Sequence, residues 1–402
     1  MEEVLTQTKF DILRTGLRPT ALNISDALKE KANNVLNYSD FPTRKNEAWK
    51  YTNVNGLNKL VFDGKNIPIS EPFTIANRSK KIHITNGQVS EGQSAIPGVK
   101  TSWDVLPEFF TDDPFDALNA LYCTSAIQVE FDDSVNETIE LIFENTANSA
   151  IFPRLFIQCN KGAKGTVILN FQGAEQNASF INVSTYVNVG ENANLSIHKI
   201  QKNGADTFDL QREYVDQAAN STFTMNTFPL SGRLTRNDLK INVNGNNCET
   251  FMNGAYTLKG KSHCDNHTTV DHKVAHCYSK ELYKGVIDDR ATNVFNGKVF
   301  VRKDAQKINA FQSNANILLS DTGTVNSKPE LEIYADDVKC SHGSTTGQLD
   351  DEAVFYLRSR GLSEKAAKEL LVKAFLGEVL EEVENEEVSS YVEAQIEKHF
   401  SA

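Results

Sequence analysis

GTVILNF (Gly165–Phe171), SFINVSTYVNV (Ser179–Val189) and ANLSIHKIQ (Ala193–Gln201) alternate apolar with polar residues and are rich in Val, Ile, Thr and Phe, the period-two signature of β-strands. STFTMNTF (Ser221–Phe228) and DLKINVNG (Asp238–Gly245) continue the same pattern. It dominates from roughly Lys81 to Asp337, and helix signals hardly intrude. A βαβ sheet with its obligatory crossover helices is disfavoured, leaving a sandwich, a barrel or a strand solenoid. The turns choose among these. LFIQCNKGAKGTVIL (Leu155–Leu169) resembles VSTYVNVGENANLSI (Val183–Ile197) at a displacement of 28 residues, with Gly162 over Gly190 and Cys159 over Val187. LKINVNGNNCETF (Leu239–Phe251) puts Gly245 at the same turn. Strand, Asn/Gly turn and strand again, without a hairpin dipeptide at every joint, favours stacked coils of a β-helix.

The flanks read differently. From Leu5 to about Leu60 apolar residues fall at three- and four-residue steps, and in TRKNEAWKYTNV (Thr43–Val54) Thr43 is placed to cap a helix with Glu47 near its first turn. After Cys340 the pattern is helical again. Asp350 caps DDEAVFYLRSR, Gly361 supplies the position after its end, and Ser363 caps SEKAAKELLVKAFLGEVLEEV, giving a helix hairpin. Ala366, Leu370, Ala374 and Phe375 make an apolar stripe on the second helix, and Glu378, Glu381, Glu382, Glu384, Glu386 and Glu387 make the tail acidic. The expected organisation is a helical region over 1–60, a mixed lead-in over 61–125, a parallel β-helix core over 126–340 and a helical domain over 341–402.

With 41 Lys+Arg against 53 Asp+Glu the chain carries a formal charge of −12, which argues against nucleic-acid binding by phosphate neutralisation. At 402 residues and 40% hydrophobic composition it is long enough and apolar enough to bury a large core. Its first residues include Glu2 and Glu3, and nowhere do eighteen apolar residues run together. The reading is a cytoplasmic, non-membrane protein. The six cysteines are scattered without a C-x-x-C pair, so reduced thiols are expected.

Three motifs invite chemistry. LKGKSH (Leu258–His263) ends like a phosphate-cradling loop, but Ala255 stands where the first glycine belongs. His263, Cys264, His267, His272, His276 and Cys277 offer soft and imidazole ligands. On a strand, however, His263 and His267 share one face while His272 and His276 share the other, so polar faces and buried thiols are the plainer reading. Cys340-Ser341-His342-Gly343 lies where the strand-rich body meets the helices, a boundary from which a loop can reach a partner. No Ser-His-Asp order, nucleophile elbow or carboxylate pair stands out.

KPELEIYADDVKCSHGSTTGQLDDEAVFYLRSRGL (Lys328–Leu362) resembles the C-terminal signature of the SufD family of the SUF iron–sulfur cluster assembly system. RKNEAWKYTNV (Arg44–Val54) is similar to that family's N-terminal element, and FNGKVFVRKDAQKINAFQSNANILLS (Phe295–Ser320) to its late β-helix coils. Likeness covers nearly the whole chain and is weakest from about Val61 to Val99. Ser344 and Thr346 depart from the Ala and Val common in relatives. The resemblance implies a right-handed parallel β-helix between helical regions and a non-catalytic scaffold subunit. It would pair with the paralogue SufB, or with a second copy of itself in isolation, and dock the ATPase SufC. His342 is then the candidate interfacial ligand of a transient iron–sulfur cluster shared with SufB, with Cys340 its neighbour. Phe355, Tyr356, Leu357, Leu370, Ala374 and Phe375 form the expected ATPase-docking region. A reduced flavin is associated with such complexes, but no residue here is assignable to it, and no ATP site is expected in this chain. The rivals are a β-helix carbohydrate-active enzyme and an autonomous metal-binding protein using residues 263–277.

Overall fold

The computed structural model describes residues 7–18, 22, 24–65, 67–69, 72–89, 99–102, 111–132, 136–176 and 178–401. Two ten-stranded sheets face each other, and the chain alternates between them as it climbs. The first holds, in spatial order, Gln88–Val89, Lys80–Thr85, Asn136–Asn145, Lys164–Gly173, Asn194–Lys202, Thr222–Ser231, Glu249–Leu258, Tyr278–Ile287, Ile308–Leu318 and Val338–Gly347. The second runs from Val99–Ser102 through Ser125–Phe131, Pro153–Cys159, Phe180–Val189, Phe208–Gln217, Leu234–Val243, His263–His272 and Thr292–Val301 to Thr324–Ile333, with Ala150–Ile151 beside Phe180. Beyond the first turns every pairing is parallel. This is a flattened parallel β-helix, as the strand patterning predicts, and helices flank it.

Among the described residues six helices complete it: α1 (Lys9–Arg14), α2 (Asp26–Asn37), α3 (Pro114–Tyr122), α4 (Asp351–Ser359), α5 (Glu364–Leu380) and α6 (Glu386–Ser401). Asp350 caps α4 by accepting from Glu352 N at 2.9 Å, Gly361 takes φ +98°, and Ser363 caps α5 by accepting from Ala366 N at 3.1 Å. All three were legible as caps. TRKNEAWKYTNV does not make the expected α-helix. Thr43 instead donates its N–H to the Asn46 side chain, and the segment turns in short 3₁₀ elements at Glu47–Trp49 and Asn55–Lys59.

Three apolar clusters correspond to the three layers. Inward-pointing residues such as Leu141, Leu169, Ile197, Val183 and Phe295 fill the space between the sheets. Phe10, Leu28, Trp49 and Phe115 of the N-terminal region cover the outer face of the second sheet. Val372, Leu376, Val379 and, from α6, Val388 and Val392 cover the outer face of the first, against Ile168, Ile200, Phe228 and Leu282. The buried face of α5 is thus Ala367, Val372, Leu376 and Val379, and Leu370 of the expected stripe points to solvent.

Arginines pin the N-terminal layer. Arg154 meets Asp116 of α3 at 3.1 Å with both side chains sealed, and Arg212 reaches Asp113, the α3 cap, at 2.9 Å. Arg236 lies 3.8 Å from the Trp49 ring centroid and bonds Asp265 at 2.5 Å. Burial alone would raise the Asp265 carboxyl, but the Arg236 guanidinium and His267 hold it below the ordinary carboxylate range.

Coil length varies. Ladder partners are 26 residues apart at Phe208↔Leu234 and 32 apart at Thr292↔Thr324. Cys159 pairs with Val189 rather than Val187, so the 28-residue alignment finds the right turn with the wrong rung. Gly245 is required by close approach, because a Cβ there would lie 2.0 Å from Ala219 N.

The two ends of the stack differ. At the start, Gln88–Val89 and Val99–Ser102 pair antiparallel with their neighbours and turn the ladder back on itself. At the finish, Thr324–Ile333 and Val338–Gly347 have no strand on their far side among the described residues. The former is half-buried along most of its length and the latter mostly exposed.

Candidate functional site

The open end is built from the inward face of the final coils. Val338 and Cys340 pack against the interior cluster, and alternation along the strand carries His342, Ser344 and Thr346 to the same face. Strand Val338–Gly347 continues through His342, so this residue lies on a sheet edge and not in a boundary loop. The register sets Cys340 against Ala310, His342 against Gln312 and Ser344 against Asn314. Cys340 is half-buried and its thiol is pushed up by that burial; His342 is exposed. Successive same-face residues on a strand are roughly 6.5–7 Å apart, so the thiol and imidazole are neighbours.

Behind this rim the interior turns polar. Gln312 donates to Glu281 at 2.6 Å and Thr268 donates to the same carboxyl at 2.5 Å. Burial pushes the Glu281 carboxyl up to about 7 despite those two donors. Asn316 donates to Asn314 at 2.8 Å, Ser327 donates to Asn314 at 2.8 Å, and Ser344 donates to Ser327 at 2.8 Å. The polar residues at Ser344 and Thr346, unusual in the resemblance, therefore stand on the rim of a hydrogen-bonded end. Gln312, Glu281 and Ser327 were not singled out as sequence candidates. The signal for Gln312 was the polar inward parity of FQSNANIL (Phe311–Leu318).

The His/Cys series over 263–277 is dispersed. The Thr52 hydroxyl lies 2.9 Å from His263 Nε2, and His267 Nε2 lies 2.8 Å from Asp265, both on the outer face. Cys264 is buried in the interior cluster, His272 faces inward to Ser279 at 3.0 Å, and His276 occupies a turn at φ +63°. Cys277 Sγ lies 3.4 Å from Gly245 O. The pairing of His272 with His276 on one strand face does not occur, because the strand ends at His272. Among the described residues no group of three or more His, Cys, Asp or Glu side chains is placed to hold a metal ion.

The expected docking residues divide. Phe355 is 72% exposed, Tyr356 56% and Leu370 47%. Leu357 is half-buried and Ala374 exposed. Phe375 is half-buried beneath Lys284, whose ammonium lies 4.6 Å from its ring centroid. Phe355, Tyr356 and Leu370 are large apolar groups that α4 and α5 leave in water. No helix among the described residues is long and apolar enough to cross a membrane.

Comparison with known proteins agrees with this architecture. The family model described as SUF system FeS cluster assembly, SufBD core domain, matches residues 142–375. The chain is 28% identical to the iron–sulfur cluster assembly protein SufD of Escherichia coli, with 88% of each chain covered. It is also 28% identical to a SufBD family protein of Synechocystis, over 88% of this chain and 86% of the relative. The chloroplastic protein ABCI7 of Arabidopsis thaliana is 29% identical over 59% of this chain and 50% of its own length. A parallel strand solenoid, matched by the core-domain model across most of its coils, identifies the chain as a member of the SufBD family of the SUF iron–sulfur cluster assembly system.

Proposed function

We propose that this chain is a non-catalytic scaffold subunit for iron–sulfur cluster assembly in the cytoplasm, whose working site is completed by another chain at the open end of its β-helix. The partner is a SufB-type paralogue, which adds its own coils to the edges Thr324–Ile333 and Val338–Gly347. Unpaired edge strands of ten residues each are unstable in isolation against such addition, since every outward N–H and C=O seeks a partner. The nascent cluster is cargo. His342 supplies an imidazole ligand from this side of the seam, and Cys340 stands beside it. Exposed Phe355, Tyr356 and Leu370 form the face on which the SufC-type ATPase docks.

The observation that carries this reading is the coincidence of His342 with the free sheet edge, in a chain of this family. A ligand so placed is useless to a lone chain but becomes enclosed once a second sheet edge arrives. Motion of that edge would expose it again, which suits a cluster that must be passed on.

The test is His342→Ala in cells that depend on this system. Assembly of the complex should be unchanged by co-purification, while maturation of reporter iron–sulfur enzymes falls by at least about tenfold. Normal maturation with the variant would remove His342 from the site.

A further inference from the structure

LKGKSH fails as a phosphate loop by its spacing, yet its lysine lies in an unusual place. Lys259–Ser262 forms a tight turn with Gly260 at φ +68°, fixed by Ser262 Oγ donating to Lys259 O at 2.7 Å and by Arg290 N donating to Gly260 O at 3.0 Å. Lys261 thereby borders a cleft of about 880 Å³ between this turn and the Lys50–Lys59 segment. Arg44, Lys50, Lys59 and Arg233 line the same cleft, with Tyr51 among them. Among the described residues no Asp or Glu lines it, and none of the five cations has a carboxylate within 4 Å.

Five cations so grouped repel one another unless something local offsets them, and they stand out in a protein of net charge −12. The nearby carboxylates are bonded to other cations, although the Glu47 charge also acts on Lys50. Glu47 is bound to Lys328 at 2.9 Å, and Asp265 is bound to Arg236. The walls are also held firmly. Thr52 donates to Asp265, and Gly56 lies so close to Phe208 that a Cβ would stand 2.5 Å from Phe208 Cζ. These contacts fix the Glu47–Lys59 segment, with its two short 3₁₀ elements, that presents Lys50, Tyr51 and Lys59.

We propose that this cleft binds a polyphosphate anion. Five cations around one volume match a ligand with several closely spaced negative charges, and the asparagine and threonine side chains between them suit phosphate oxygens. Tyr51, 43% exposed, offers a ring face on which a nucleoside base could lie if the polyphosphate belongs to a nucleotide. The proposal concerns binding and not hydrolysis, and it is independent of the role given to His342.

The probe is sodium tripolyphosphate, titrated calorimetrically into the full chain without magnesium at about 50 mM salt, where screening is modest. Saturable one-to-one binding is expected. The triple variant Lys50→Ala/Arg233→Ala/Lys261→Ala should bind about tenfold more weakly, since each exposed ion pair contributes a fraction of that factor. Its melting temperature should be unchanged, because all three side chains are exposed. Lys80→Ala, outside the cleft, should bind like the parent. ATP and adenosine distinguish the sources. ATP equal to tripolyphosphate assigns the inorganic chain as sufficient, and tighter ATP binding that Tyr51→Ala abolishes assigns a nucleotide; both support the site. Absence of saturable tripolyphosphate binding, or a triple variant as tight as the parent, would each overturn it.

Discussion

Gln312 and His342 occupy one rung of the same parallel ladder, yet Gln312 is 3% exposed and bonded to Glu281 while His342 stands in solvent. A single strand spacing separates a sealed polar interior from an open rim. Whatever completes the rim must therefore meet hydrogen-bonding groups and not an apolar core, so polar or metal-bearing contacts are favoured there.

Stability should record the buried carboxyl beneath that rim. The Glu281 side chain binds its proton more tightly folded, at about 7, than at the ordinary 4.5. Its neutral form supports folding fully below pH 4.5, and that support is lost as pH rises through 7. The difference corresponds to roughly 3 kcal/mol at pH 8. Denaturant unfolding of Glu281→Gln should show a flatter pH dependence between pH 5 and 7.5 than the parent. An identical slope would mean that the carboxyl is not buried in this way.

Arg154 and Asp116 hold α3 to the second sheet with neither side chain in contact with water. Arg154→Met leaves Asp116 as an uncompensated buried charge and should cost about 3–5 kcal/mol. Adding Asp116→Asn should recover much of this. Thermal melts of the two variants decide it, since a double variant no better than the single one would show that the pair is not coupled.

Two glycines separate steric need from mere occurrence. Gly245→Ala drives a methyl into the Ala219 backbone and should cost about 3 kcal/mol or more, whereas Gly347→Ala meets nothing within 4 Å and should stay within about 0.5 kcal/mol. Matching unfolding midpoints for the two would contradict the close approach of coils at Gly245.

The proposed docking of an ATPase is best probed by surface change and not by truncation. Removing the chain from Asp350 onward would uncover Ile168, Ile200, Phe228 and Leu282, now covered by α5 and α6. Phe355→Glu with Tyr356→Glu should leave stability within about 0.5 kcal/mol and abolish co-purification with a SufC-type ATPase. Undiminished co-purification would place the contact elsewhere.

Strand parity, the helical flanks and the three helix caps were readable because each rests on residues adjacent in sequence. The arginines at 154, 212 and 236 were not, since their burial depends on partners in α3 and the Glu47–Thr52 segment, far off in sequence. Coil length concealed the repeat: steps of 26 to 32 residues defeat any fixed period. His342 stood out in Cys340-Ser341-His342-Gly343, its role as interfacial ligand came from resemblance, and its position on a strand edge required the register. Helix α6 was read only as an acidic tail, because its buried Val388, Val392 and Ile396 are diluted by glutamates on the solvent side.

The first coils end in the short antiparallel strands Gln88–Val89 and Val99–Ser102, and the last coils in two ten-residue parallel strands. Coil stacking has no intrinsic stopping point, and a body sticky at both tips would grow into fibres. Two short antiparallel strands offer few free groups to a newcomer, whereas two ten-residue edges offer a long template, so addition of further coils is favoured at the last coils.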